Sequence, residues 1–164
     1  MPLKKEVILK YMNPVFLETG SLVGESIQLA LDVGFEKVLS VELAEKYFDI
    51  CLDKFKHNSK ANLYFGDVEL VLWDMINFID APITFWLDAH HSGADTALGI
   101  RNDPIIQEIN IIKRHHRKDH TILVDDLKGM DAEAIKSKLL EINPSFQFSL
   151  EDGFVPNDIL VARL

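Results

Sequence analysis

The hydrophobic and polar positions of this chain follow two alternating periods. Short apolar runs of four to six residues, bounded by glycine, proline or acids, alternate with longer stretches whose apolar positions recur every three to four residues. The runs "VFLE", "KVLSVE", "ANLYFG", "PITFWLD" and "HTILVDD" predict strands. Between them, "GESIQLALDVG" predicts a helix with Ile27, Ala30 and Leu31 on one face and Gly34 as its stop. "AEKYFDICLDKFKHN", "DVELVLWDMINFI", "PIIQEINIIKRHH" and "DAEAIKSKLLEIN" predict four more helices. Asp67 is placed to cap one of them, and Pro104 stands at the first turn of another. "FQFSLED" and "NDILVARL" close the chain as two strands joined by the short "GFVP".

Strict alternation of strand and helix implies a parallel sheet covered on both faces. A short final connection cannot cross over, so the last two strands are antiparallel. The expectation is an α/β, Rossmann-like, doubly wound sheet of seven strands, mostly parallel, with one reversed strand near the C-terminus. With 164 residues and no linker, repeat or low-complexity segment, a single domain over 1–164 is expected.

In such a sheet ligands bind beyond the carboxyl ends of the strands, where the strand order switches. Five predicted strands end in acid: Glu18, Glu42, Asp67 after Gly66, Asp88, and the pair Asp125 and Asp126. The first strand leads into "ETGSLVGES", with Gly20, Ser21, Gly24 and Ser26. The glycines alone fit a plain backbone corner as well as a ligand turn. Glu42, 24 residues beyond Glu18, has the position of an acid that binds a ribose diol, and with Asp67 it favours the ligand reading. The loop lacks G-x-G-x-x-G, which argues against a nicotinamide oxidoreductase, and it has no G-K-[ST], which excludes a P-loop. A smaller nucleoside ligand fits better, with Ser26 and backbone N–H groups as donors.

Asp88, Asp125 and Asp126 form a second group, on strands expected side by side and about 5 Å apart. Converging carboxylates suit Mg²⁺ or a similar hard cation; the plainer alternative makes Asp126 a cap and Asp88 a loop acid. His90 and His91 follow Asp88 directly, as base, metal ligand or exposed loop residues.

The net charge of −9 disfavours a nucleic-acid partner, and the one basic run, "KRHHRK", falls at a predicted helix end where cations suit the dipole. No apolar run is long enough to span a membrane, and the first residues lack a signal-peptide pattern, so a cytoplasmic location is expected. The single cysteine, Cys51, is spaced helically with Phe48 and Phe55 and reads as a buried apolar side chain.

These motifs together resemble class I S-adenosylmethionine-dependent methyltransferases, most closely the metal-dependent catechol-type and sugar O-methyltransferases. "ETGSLVGES" is similar to that family's E-x-G-x-x-x-G-x-S loop. "VLSVEL" is similar to its ribose-binding strand, "LYFGDVELVL" to its adenine-side segment, and "FWLDAHHSG" and "ILVDDLKG" to its metal-bearing strand ends. The resemblance runs from about Val15 to Gly129. It implies that Glu18, Gly20 and Ser26 hold the methionine part of S-adenosylmethionine, with Ser21, Gly24 and Asp88 also binding the cofactor. It puts Glu42 on the ribose and Asp67 near the adenine. Asp88, Asp125 and Asp126 would hold Mg²⁺, with His91 and Asp88 as catalytic residues and a small-molecule acceptor. The chain departs from the pattern at Asp126, where Asn is frequent, and in having few residues before the first strand. The pocket is therefore expected to be completed either by a partner subunit or by the long "AHHSGADTALGIRND" loop. The rival reading is a non-catalytic module that binds a nucleoside or a partner on the same sheet.

Overall fold

The computed structural model describes residues 3–88, 99–101 and 103–164. Seven strands form one sheet: β1 (Val15–Thr19), β2 (Lys37–Glu42), β3 (Ala61–Phe65), β4 (Ile83–Leu87), β5 (Thr121–Val124), β6 (Gln147–Glu151) and β7 (Ile159–Arg163). Their order is β3-β2-β1-β4-β5-β7-β6. The first five pair in parallel, and β7 runs antiparallel to both β5 and β6. The α/β, mostly parallel seven-stranded architecture expected from the alternation is therefore the one observed.

The period of two along each strand divides the core into two layers. Leu17, Leu39, Phe85 and Ile122 face α4 (Val68–Ile76), α5 (Ile105–Arg114) and α6 (Ala132–Leu140). Their neighbours Phe16, Val38, Trp86 and Leu123 face α1 (Lys5–Lys10), α2 (Glu25–Val33) and α3 (Glu45–Phe55). The central strands β1 and β4 are buried along their whole length, which is why they read as unbroken apolar runs.

Helix α1 was not expected. It is a six-residue helix that buries Val7 and Ile8 against the α2 side, with Leu3 before it and Tyr11 after it. Burying each such side chain contributes about 1.5–3 kcal/mol, which compensates for a helix too short to form alone. Tyr11 fastens the segment by donating to Glu151 at 2.6 Å, and the Thr84 hydroxyl donates to the Tyr11 carbonyl at 2.6 Å.

The basic run divides as well. Lys113 and Arg114 sit in the last turn of α5, as expected for a helix terminus, but His115 is buried. The Ile83 N–H donates to His120 Nδ1 at 3.1 Å. His120 Nε2 then meets His115 Nδ1 at 3.0 Å, and His115 Nε2 meets the Ile76 carbonyl at 3.0 Å. With two neutral rings each protonated at Nε2, every contact joins one donor to one acceptor. Burial lowers both pKa values, that of His120 to about 3.

The strand order reverses at β1, which lies between β2 and β4. Consecutive crossovers therefore leave in opposite directions there and open a crevice beyond the carboxyl ends of the two strands.

Candidate functional site at the carboxyl edge of the sheet

Glu18 and Thr19 close β1, and both are fully buried. The Ser40 hydroxyl, from mid-β2, donates to one Glu18 oxygen at 2.8 Å. The Ser26 hydroxyl, from the first turn of α2, donates to the other, and Ser21 hydrogen-bonds Ser40. Glu18 thus ties three elements together beneath the glycine turn. Burial pushes its carboxyl up to about 8, against the two hydroxyl hydrogen bonds, and the charges of Asp88 and Glu42 add to the rise.

The turn above it needs glycine. Gly20 and Gly24 have φ of 90° and 71°. A Cβ on Gly24 would stand 2.6 Å from Phe55 Cε2 and 3.1 Å from Cys51 Sγ. This close approach seats the start of α2 on α3, where Cys51 donates to the Leu22 carbonyl at 3.2 Å. Cys51 is buried, as its spacing suggested, with its thiol pushed up to about 12 by burial. Gly24→Ala is expected to cost about 2–4 kcal/mol, from an overpacked contact added to a strained φ. Urea denaturation checks this, and a cost below about 0.5 kcal/mol would show that the helix moves away freely.

Glu42 closes β2 and is buried. Its two oxygens accept from the Leu22 N–H at 2.9 Å and the Ala44 N–H at 2.7 Å. Each oxygen keeps a second lone pair for a ligand hydroxyl. Asp67 caps α4 as expected, accepting from the Glu69 N–H at 2.9 Å. Its other oxygen accepts from the Ile100 N–H at 2.6 Å.

Beyond β1 the edge is occupied by acids. The Asp88 N–H donates to Thr19 Oγ1 at 3.1 Å, and the Thr19 hydroxyl hydrogen-bonds the buried carboxyl of Glu108 on α5. Burial, with the charges of Asp103, Asp88 and Glu69, pushes Glu108 up to about 8. Its Oε1 is buried with no hydrogen-bond partner among the described residues. Asp125, at the end of β5, is 1% exposed, and among the described residues no hydrogen bond of good geometry reaches either of its oxygens. Burial first, then the charge of Asp88 and those of Asp126 and Asp158, pushes it to about 8.

Asp126 has φ of 51°. Consecutive side chains of an extended strand point to opposite faces; the left-handed residue breaks that alternation and brings the two carboxylates together. One carboxylate oxygen each from Asp125, Asp126 and Asp158 lie within 4.8 Å of one another. Gly153 leaves room there, since a Cβ would stand 3.3 Å from Asp125 Oδ1. Such a donor set fits a hard divalent cation. Asp88 is outside this three-residue group, although β4 and β5 are adjacent as expected and its charge raises Asp125. A cavity of about 520 Å³ opens beside the group and is shared by Asp126, Asp158, Lys128, Met130 and Phe154.

The expected residues Glu18, Gly20, Ser21, Gly24, Ser26 and Glu42 thus meet around the β1–β2 end. Asp67 lies on the β3 side and Asp88, Asp125 and Asp126 on the β4–β5 side. His90 and His91 lie outside the described residues. Sequence reading passed over Ser40, Glu108 and Asp158. The first two carried a signal, as polar residues inside otherwise apolar faces; Asp158 stood at the start of the predicted last strand, where a polar residue is unremarkable.

This order of strands defines a Rossmann-like α/β domain whose switch point lies at this edge. No family model matches the sequence, and no curated protein matches it. Solved structures do match in fold. A Staphylococcus aureus protein proposed to be a caffeoyl-CoA O-methyltransferase shares 12% identity, with a TM-score of 0.63 over 97% of this chain and 79% of that one. A Bacillus cereus O-methyltransferase in complex with SAH shares 13%, with a TM-score of 0.60 over 98% and 78%. A spermidine synthase holding the transition-state analogue AdoDATO shares 12%, with a TM-score of 0.60 over 92% of this chain and 53% of that one. The fold thus serves different enzymes, and the argument for methyl transfer comes from the residues of the edge.

Proposed function

We propose that the chain is an S-adenosylmethionine-dependent methyltransferase that modifies a hydroxyl of a small molecule or sugar with the help of a divalent cation. The observation that carries this reading is the run of buried acids, Glu18, Glu108 and Asp125, around Asp88 at the switch point. Burial keeps these carboxyls protonated to about 8, an approaching cation would favour their ionised form, and S-adenosylmethionine is cationic at its sulfonium and its ammonium.

Glu18 would act from below, fixing Ser21, Ser26 and the glycine turn that receives the methionine part. Glu42 would accept from the ribose, and Asp67 would lie beside the adenine. S-adenosylmethionine supplies a methyl on sulfur that needs little activation, so alignment contributes most of the rate. The acceptor oxygen would bond to the methyl carbon as the carbon–sulfur bond breaks, leaving a neutral thioether, and the hydroxyl proton would pass to a base. By the resemblance, that base is His91. The strand-end carboxylates would hold a divalent cation, which would supply Lewis acidity toward the acceptor hydroxyl.

The second reading, a binding module without turnover, draws on one observation: Glu42 and Asp67 already have backbone donors on their oxygens. Calorimetry with S-adenosylhomocysteine and a methyl-release assay over sugars and phenols, with and without Mg²⁺, separate the two. Metal-stimulated release is expected. Binding without release on any acceptor would favour the module, and absence of binding would remove both.

A further inference from the structure

Asp158 is the unexpected member of the acidic group. It is the residue before β7, is 4% exposed, and is tied to the loop after β5. Its carbonyl accepts from the Leu127 N–H at 2.9 Å. Grouped acids alone are common. What distinguishes this group is Asp125, which is 1% exposed, brings one carboxylate oxygen into it, and has no hydrogen-bond partner on either oxygen among the described residues. Buried carboxylate oxygens are normally satisfied by donors, and a cation does so where no N–H or O–H reaches. Three hard oxygen donors from separate residues match Mg²⁺ or Mn²⁺, with water completing the sphere.

β7 borders β5 on the side away from β4. An ion held by Asp125, Asp126 and Asp158 is therefore displaced from the β4 end, where the strand pattern alone would put it. We propose that the divalent-cation site of this chain is Asp125–Asp126–Asp158, and that Asp88 belongs to the cofactor side of the edge. The inference rests on the metal-assisted reading above and specifies its centre. It also orients the acceptor. The ion opens on the cavity that Asp126 and Asp158 share with Lys128, Met130 and Phe154, so the connection from β6 to β7 forms the acceptor wall. Phe154, 71% exposed, offers that wall an apolar surface.

The test titrates Mn²⁺ into the full chain and reads the free ion by electron paramagnetic resonance, for wild type, Asp158→Asn and Asp88→Asn. Thermal melting without metal checks folding, and Asp158→Ala replaces the Asn variant if that one does not fold. S-adenosylhomocysteine affinity is measured in parallel. Wild type is expected to bind Mn²⁺, Asp158→Asn to bind at least about tenfold more weakly, and Asp88→Asn to stay near wild type. S-adenosylhomocysteine affinity should be almost unchanged in the Asp158 variant. Loss of Mn²⁺ in Asp88→Asn with retention in Asp158→Asn overturns the assignment, and so does a wild type that binds no Mn²⁺. Mn²⁺ binding through Asp158 with no S-adenosylhomocysteine binding would uphold the metal site while removing the methyltransferase reading.

Discussion

Glu18→Ala is expected to weaken S-adenosylhomocysteine binding by more than about tenfold and to lower unfolding stability by about 2–4 kcal/mol. The two losses have one cause. The Ser26 and Ser40 hydroxyls both donate to Glu18 in a fully buried position, and Ser21 is joined to Ser40. Removing the carboxyl leaves two buried hydroxyls without their acceptor and a void under the glycine turn. Each unsatisfied group costs about 1–3 kcal/mol. The turn from Gly20 to Gly24 then loses the floor that sets its shape. Calorimetry reads the first loss and urea denaturation the second. Glu18→Gln keeps the volume and one acceptor oxygen, so it should recover part of the stability. Wild-type affinity in the Ala variant would show that the turn holds its shape without Glu18, and the role assigned to this residue would fall.

The sheet was legible in the sequence because its central strands are buried on both faces. "VFLE" and "PITFWLD" admit no reading but interior strand, and the short "GFVP" forced the antiparallel pair. Helix α1 was not legible. Its six residues carry too little periodicity, and its stability comes from Tyr11, Glu151 and Thr84, which are distant in sequence. The strand-end acids were legible because the fold places one edge of the sheet at the switch point, and position along a strand gives position at that edge. What the sequence could not give is which acids meet. Asp125 and Asp126 are drawn together by a left-handed residue, and Asp158 joins them only because β7 inserts beside β5. Strand order within the closing pair is a tertiary property that leaves no mark on local pattern. Glu108 is the opposite case. It stands on the apolar face of α5 with Ile105, Ile109 and Ile112, and an acid on such a face signals either a buried partner or a ligand.

Glu108 also sets the second large effect, a fall in stability toward alkaline pH. Its carboxyl is raised to about 8 in the folded chain, first by burial and then by Asp103, Asp88 and Glu69, against an ordinary value of 4.5. A raised acid binds its proton more tightly when folded. Its contribution to stability is therefore whole below the unfolded value and is lost as pH rises toward and through about 8. Within that window each pH unit costs up to about 1.4 kcal/mol per proton held. Glu108→Gln is neutral throughout and keeps an acceptor for Thr19. Between about pH 6 and about pH 8.5 the wild type should lose at least about 2 kcal/mol more than the variant, so their denaturation curves converge or cross on the alkaline side. The buried histidines do not disturb the comparison, because His115 and His120 are lowered by burial in both proteins and act on the acid side. A variant that falls as steeply as wild type would mean that Glu108 is already ionised when folded. Glu108 would then be a fixed charge of the edge, and the carboxyls that burial keeps protonated there would be Glu18 and Asp125.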